Sequence, residues 1–175
     1  MKILLSTLLT FSLSYGANFT LTSNDIKGQL TTKQEFDGFG CSGKNISPDL
    51  KWSDAPKETK SFAILMYDKD APTGSGWWHW SAFNIPASAR NITSDASKLK
   101  LLPKGTIEGT NDYGTIGFGG ACPPKGHGNH TYVITIHALD VAKLDIDEKT
   151  NQAVVGYMIN SHTIERSSII TYYRR

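Results

Sequence analysis

Residues 119–133 read GGACPPKGHGNHTYV. From Gly119 to His130 the chain carries four glycines, two prolines, a cysteine, a lysine and two histidines, and at Thr131 a strand pattern begins. Each proline ring fixes φ, and the glycines permit turns that a Cβ would forbid. A loop of this kind is rigid at one end and tightly folded at the other. It delivers His130 to the start of a strand, where a side chain can be held firmly. Tyr132, Ile134 and Ile136 then alternate with Val133, Thr135 and His137, which predicts a strand over 131–139. Free N–H groups in the loop are expected to form an anion-binding nest, with Lys125 adding positive charge.

Further strands follow from the same period. Ser61–Tyr67 (SFAILMY) is a continuous apolar run of strand length, and it is expected at the centre of a sheet, buried on both faces. Residues 78–85 return as a strand. If that strand is regular, His79 shares a face with Ser81 and not with Trp78 or Trp80. Shorter strands are expected at 18–21, 30–36 and 49–52, with a single helical turn at 96–99. Asp147 and Glu148 precede apolar residues at 154, 155, 158 and 159, which suits a helix with acids near its start. Ile164, Ile169 and Ile170 suggest a second short helix. Strands followed by late helices indicate α+β, or a β-sandwich with helices at one end.

Composition fits one globular domain. The chain has 175 residues, 19% of them charged and 39% hydrophobic, with a formal charge of +2. That charge is too small to argue for a nucleic-acid partner. Residues 1–17 read as a secretory signal peptide: basic Met1-Lys2, an apolar run from Ile3 to Leu13, then small residues at Ser14 and Gly16. The domain is expected from 18 to 175, in the periplasm or outside the cell, with no transmembrane segment in the mature chain. Two cysteines in an oxidising compartment, Cys41 and Cys122, read as one disulfide joining two Gly-rich loops. Two separate thiols, or a zinc site with His79 and His130, are the alternatives. The sequons at Asn18, Asn91 and Asn129 matter only in a eukaryotic host, and a bacterial source is favoured.

Two more stretches carry chemistry. YDKDAP (67–72) sets Asp68 and Asp70 at the end of the apolar strand, where a charge must be paired. GWWHW (76–80) flanks His79 with three tryptophans. Taken with NISPDLKW and the opening loop, these motifs resemble the phosphatidylethanolamine-binding protein family, in its bacterial Raf-kinase-inhibitor-like (YbhB/YbcL) branch. The resemblance covers nearly all of the mature chain. It implies a mainly β, sandwich-like fold: a large antiparallel sheet packed on a smaller one, with helices near the C-terminus. It also implies a small pocket for phosphate or phospholipid headgroups, walled by Asp68, Asp70, Ala71, Pro72, Trp77, His79, Gly120, Pro123, His130 and Tyr132. No metal or cofactor is called for. The implied role is an exported binding protein that modulates or inhibits a protein partner. Two rivals remain at this point: an acid–base or hydrolytic enzyme using the Asp/His groups, and a carbohydrate- or protein-binding surface built on the tryptophans. Two positions depart from the family pattern. Thr131 stands where Arg is frequent, which leaves a salt bridge to the aspartate loop in doubt, and Lys69 stands where Pro is common.

Overall fold

The computed structural model describes residues 18–175. The signal-peptide reading therefore lies outside the described residues. Eight strands form two antiparallel sheets. β1 (Thr20–Thr22), β2 (Leu50–Ser53) and β5 (Asn91–Ile92) make a small sheet in the order β1-β2-β5. β6 (Ile107–Glu108), β4 (Trp77–Pro86), β3 (Ser61–Asp68), β7 (His130–Leu139) and β8 (Thr163–Tyr173) make the large sheet, in that order.

Alternation along the strands builds a core on each face of the large sheet. Phe62, Ile64 and Met66 of β3 join Ile134 and Ile136 of β7 against Leu21, Leu50, Trp52 and Ile92 of the small sheet. Ala63, Leu65 and Phe83 face the other way, onto Val155 and Ile159 of helix α2 (Gln152–Ser161). β3 thus lies mid-sheet with both faces covered, as its unbroken apolar run predicts. Burying Phe62, Ile64 and Met66 contributes about 1.5–3 kcal/mol each. Among the described residues no helix is long and apolar enough to cross a membrane.

The sequence reading needs correction in three places. Residues 163–173 form strand β8, not a second helix. Ile164, Ile169 and Ile170 are five and six apart, which no helical face accommodates. The segment TIERSSIITYY is rich in β-branched and aromatic residues, and it completes the hydrogen bonding of β7 from His130 to Leu139. Residues 30–36 are not a strand. Thr31 and Gln34 close a turn instead, through Gln34 N–H to the Thr31 carbonyl (2.9 Å) and the Thr31 hydroxyl to Gln34 Oε1 (3.1 Å). Finally, α2 starts after Asp147 and Glu148. Its cap is Asn151, whose side chain accepts from Ala153 N–H at 2.9 Å. The helical turn expected at 96–99 is present as α1 (Ala96–Leu99).

Candidate functional site

Register places the site at one end of the large sheet. Asp68, the last residue of β3, lies opposite Trp77 on β4 and Tyr132 on β7, so the three share a face. His130 lies two residues before Tyr132 and therefore points the same way. His79 reaches that face by a different route. Met66 pairs with Trp80 and Tyr67 with Trp78, which leaves His79 as the extra residue of a β-bulge. The expected face-sharing with Ser81 is overturned for this reason. The His79 ring instead meets the rings of Tyr132 and Tyr113, at centroid distances of 5.2 and 5.6 Å.

These residues line a cleft of about 360 Å³. Asp68, Ala71, Pro72, Trp77, His79, Pro123 and His130 all border it. Three residues from the expected set do not. The Asp70 carboxylate accepts from Thr131 N–H at 2.8 Å and from Lys69 Nζ at 2.7 Å, and lies off the cleft. Gly120 is packed behind the wall, where an added Cβ would come within 2.2 Å of the Gln34 carbonyl. Tyr132 is fully buried beneath the floor, its hydroxyl without a hydrogen-bond partner.

The two departures from the family pattern meet at Asp70. Lys69 supplies a cation to the aspartate loop, and the Thr131 backbone supplies a second donor. Together, Lys69 first, they hold the Asp70 carboxyl down to about 2.

Asp68 is 3% exposed and ionically committed. Its Oδ2 lies 2.7 Å from His130 Nδ1, and its Oδ1 accepts from Asp70 N–H at 2.9 Å. His130 Nε2 in turn lies 2.9 Å from Nδ1 of His127, on the exposed loop. A chain of hydrogen bonds thus runs from the buried carboxylate to the surface. His79 stands apart from it. Its Nδ1 faces the Gly119 carbonyl at 2.8 Å; a carbonyl only accepts, so Nδ1 carries the proton. Burial drives its pKa down to about 4, against the opposing pull of that carbonyl and of Asp68. A neighbouring carboxylate alone would raise the pKa of His79, and burial outweighs it.

The expected nest is largely closed as well. The N–H groups of Gly119, Gly120, Ala121, Gly126 and His127 donate to His79 O, Asn45 Oδ1, Gln34 O, Arg175 O and Pro124 O. Cys122 borders the cleft, and among the described residues its N–H has no hydrogen-bond partner.

Sequence reasoning missed several cleft residues: Phe39, Thr73, Tyr113, Pro124 and Arg175. Tyr113 stacks on Phe36 at 3.9 Å and donates to the Gly120 carbonyl at 3.0 Å. Arg175 holds the Pro123 carbonyl through Nε (2.9 Å) and the Gly40 carbonyl through Nη1 (2.6 Å). Phe39 stands 70% exposed at the rim. Cys41 and Cys122 are joined in a disulfide, with Cα atoms 5.9 Å apart. Neither thiol is left to hold zinc.

A family model described as phosphatidylethanolamine-binding protein matches residues 24–174. The chain belongs to that family. It is 49% identical over 169 residues to the UPF0098 protein YbcL of Escherichia coli K12, covering 94% of this chain and 92% of that one. The UPF0098 protein YbhB of the same organism is 43% identical over 156 residues, covering 87% and 98%. The crystal structure of E. coli YbcL, described as a new member of the mammalian PEBP family, superposes with a TM-score of 0.88, covering 91% of this chain and 99% of that chain. A phosphatidylethanolamine-binding protein homologue from Chlamydia trachomatis, 26% identical, gives a TM-score of 0.75 over 90% of this chain and 98% of that one. This family is therefore shared with relatives whose two-sheet fold is known from experiment.

Proposed function

We propose that this chain is an exported binding protein whose cleft holds a phosphate-type group, free or as part of a phospholipid headgroup, and that the bound state modulates a protein partner. The observation that carries the reading is the Arg175 guanidinium on the wall of a cleft that also holds the buried Asp68–His130 pair, whose hydrogen bonds continue to His127 at the surface. Guanidinium suits phosphate because its N–H groups make charge-assisted bonds; here Nε and Nη1 hold the Pro123 and Gly40 carbonyls, and Nη2 is left for a ligand. The aromatic and proline walls suit whatever organic group the phosphate carries. Export is supported by the pattern of residues 1–17 and by the disulfide, which persists in oxidising compartments.

The two rivals are weaker. A hydrolase needs a nucleophile beside its base. Among the described residues Thr73 is the one serine or threonine on the cleft, and its hydroxyl donates to the Gly76 carbonyl. A surface of three tryptophans fails because Trp80 is fully buried.

Calorimetric titration with phosphorylethanolamine tests the reading. Arg175→Ala removes one charged donor and is expected to weaken binding about tenfold or more. Unchanged affinity in this variant contradicts the assignment of the cleft.

A further inference from the structure

Two imidazoles border the cleft and a third, His127, is bonded to one of them; they do not offer the same thing to a ligand. His130 has both nitrogens spent: Nδ1 on Asp68 at 2.7 Å and Nε2 against His127 Nδ1 at 2.9 Å. One proton must sit between the two histidines, whichever of them carries it. His127 is on the exposed loop and does not border the cleft. That leaves His79. Its Nδ1–H is fixed on the Gly119 carbonyl at 2.8 Å, so its remaining nitrogen, Nε2, presents a lone pair. Among the described residues the hydrogen bond of the His79 ring is the one through Nδ1, and His79 borders the cleft.

We infer that the group reaching the cleft floor must bring its own proton: a phosphomonoester in its singly protonated form, RO–PO₃H⁻, which donates its P–O–H to His79 Nε2. This rests on the reading that the cleft binds a phosphate-type group, and it adds which one. A fully ionised oxygen placed against that lone pair meets repulsion, with no hydrogen bond to offset the lost water. Sulfate esters have the size and charge of the monoanion but carry no proton, so the floor rejects them. The same discrimination by an unpaired acceptor operates wherever a site is built to receive a hydroxyl. The two unprotonated oxygens of the ligand remain for Arg175 and the Cys122 N–H.

The surroundings agree with an acceptor at this place. From β3, both oxygens of Asp68 are already engaged, on His130 and on the Asp70 N–H. From β7, Tyr132 packs on the ring and His130 borders the same cleft, and Tyr113 approaches from the loop before Gly119. The Tyr113 hydroxyl is turned away onto the Gly120 carbonyl. Among the described residues, Arg175 is the one fixed cation bordering the cleft. His79 is 2% exposed, and burial holds it neutral well below pH 7.

Phenyl phosphate and phenyl sulfate make a matched pair of probes, titrated by calorimetry. With a second phosphate pKa of about 6, phenyl phosphate is mostly monoanion near pH 5 and about 1% monoanion near pH 8. Its affinity is expected to fall about a hundredfold between those conditions, with phenyl sulfate at least about tenfold weaker near pH 5. Equal binding of the two at that pH overturns the proton requirement and leaves the anion cleft standing. Failure of both to bind at any pH overturns the anion cleft itself. Long-range proton–nitrogen spectra of the histidines give a readout independent of affinity. A neutral Nδ1–H tautomer of His79 near pH 5 is expected, and an imidazolium there overturns the proposal. In His79→Gln, whose amide can donate, phenyl sulfate is expected to gain on phenyl phosphate; a ratio as in the parent protein counts against the role of Nε2. Phosphatidic acid, a lipid monoester, separates the sources. Co-sedimentation with phosphatidylcholine vesicles doped with it, reversed by phenyl phosphate, assigns the lipid. Phenyl phosphate binding without vesicle binding assigns a free monoester.

Discussion

Asp68 is the residue on which the site's internal structure depends. It is buried, it orients His130, and it receives the Asp70 N–H that folds the loop back. Asp68→Asn keeps the shape but loses the charge that both donors use. The expected cost is about 1.5–3 kcal/mol of unfolding free energy, measured by urea denaturation. Lys69→Ala serves as the contrast: its ammonium is in solvent, and exposed pairs contribute little. Stability is expected to stay unchanged there, and a large loss would mean the Lys69–Asp70 pair matters more than its exposure implies. At this scale much of the site was legible. Asp68, His79 and His130 stand out because a carboxylate ending an apolar strand and a histidine ending a Gly-Pro loop are hard to place otherwise. What could not be read was the use of each nitrogen. That depends on which carbonyl lies 2.8 Å from His79, and Gly119 is 40 positions away. Tyr113 and Arg175 gave no signal either. They come to the cleft through tertiary packing, from stretches with no periodic pattern.

The β-bulge in β4 is the element that makes the site possible. A regular strand would send His79 toward Ser81 and α2, and the extra residue turns it onto the face of Asp68 instead. Sequence periodicity has no means of showing a bulge, because every residue after the insertion still alternates. β8 was misread for a related reason: its three isoleucines were taken without the strand beside them. Yet β7 needs a partner along its free edge, and TIERSSIITYY supplies one. Within that pair His137 of β7 is 3% exposed and lies 3.0 Å from Thr163 Oγ1 through Nδ1. Burial, with a contribution from the Arg166 charge, holds its pKa down to about 4, as burial also does for His79. Both are neutral in the fold, whereas the unfolded chain takes up protons near 6.5. Their stabilising effect is complete above about pH 6.5 and is lost as pH falls toward 4, by up to about 1.4 kcal/mol per pH unit for each group. Urea midpoints across that range are expected to fall steeply, and in His137→Gln less steeply. An equal slope in that variant would show that His137 does not titrate with unfolding.

Across the whole molecule, one covalent link fixes the rim of the cleft. The disulfide spans 81 positions and ties the loop carrying Phe39 to the one carrying Pro123. Chain entropy assigns such a closure about 4–5 kcal/mol as a ceiling. Replacing both cysteines by serine is expected to lower the melting temperature and to weaken phosphorylethanolamine binding; full affinity without the link would make the rim irrelevant to the ligand. The fold itself was the most legible level. An apolar strand buried on both faces needs a layer above and below, and the alternating strands around it define a two-sheet stack. The order of the strands was not legible, since β8 lies beside β7 only after α2 has crossed the sheet. The central claim is that the cleft between Asp68, His79 and Arg175 receives the phosphate. Its most direct test is a crystal structure of the protein soaked with phenyl phosphate near pH 5. The account predicts density for the phosphate between His79 Nε2 and Arg175, with the phenyl ring against Phe39, Trp77 and Tyr113. Density seated elsewhere on the molecule, with this cleft empty, would contradict it.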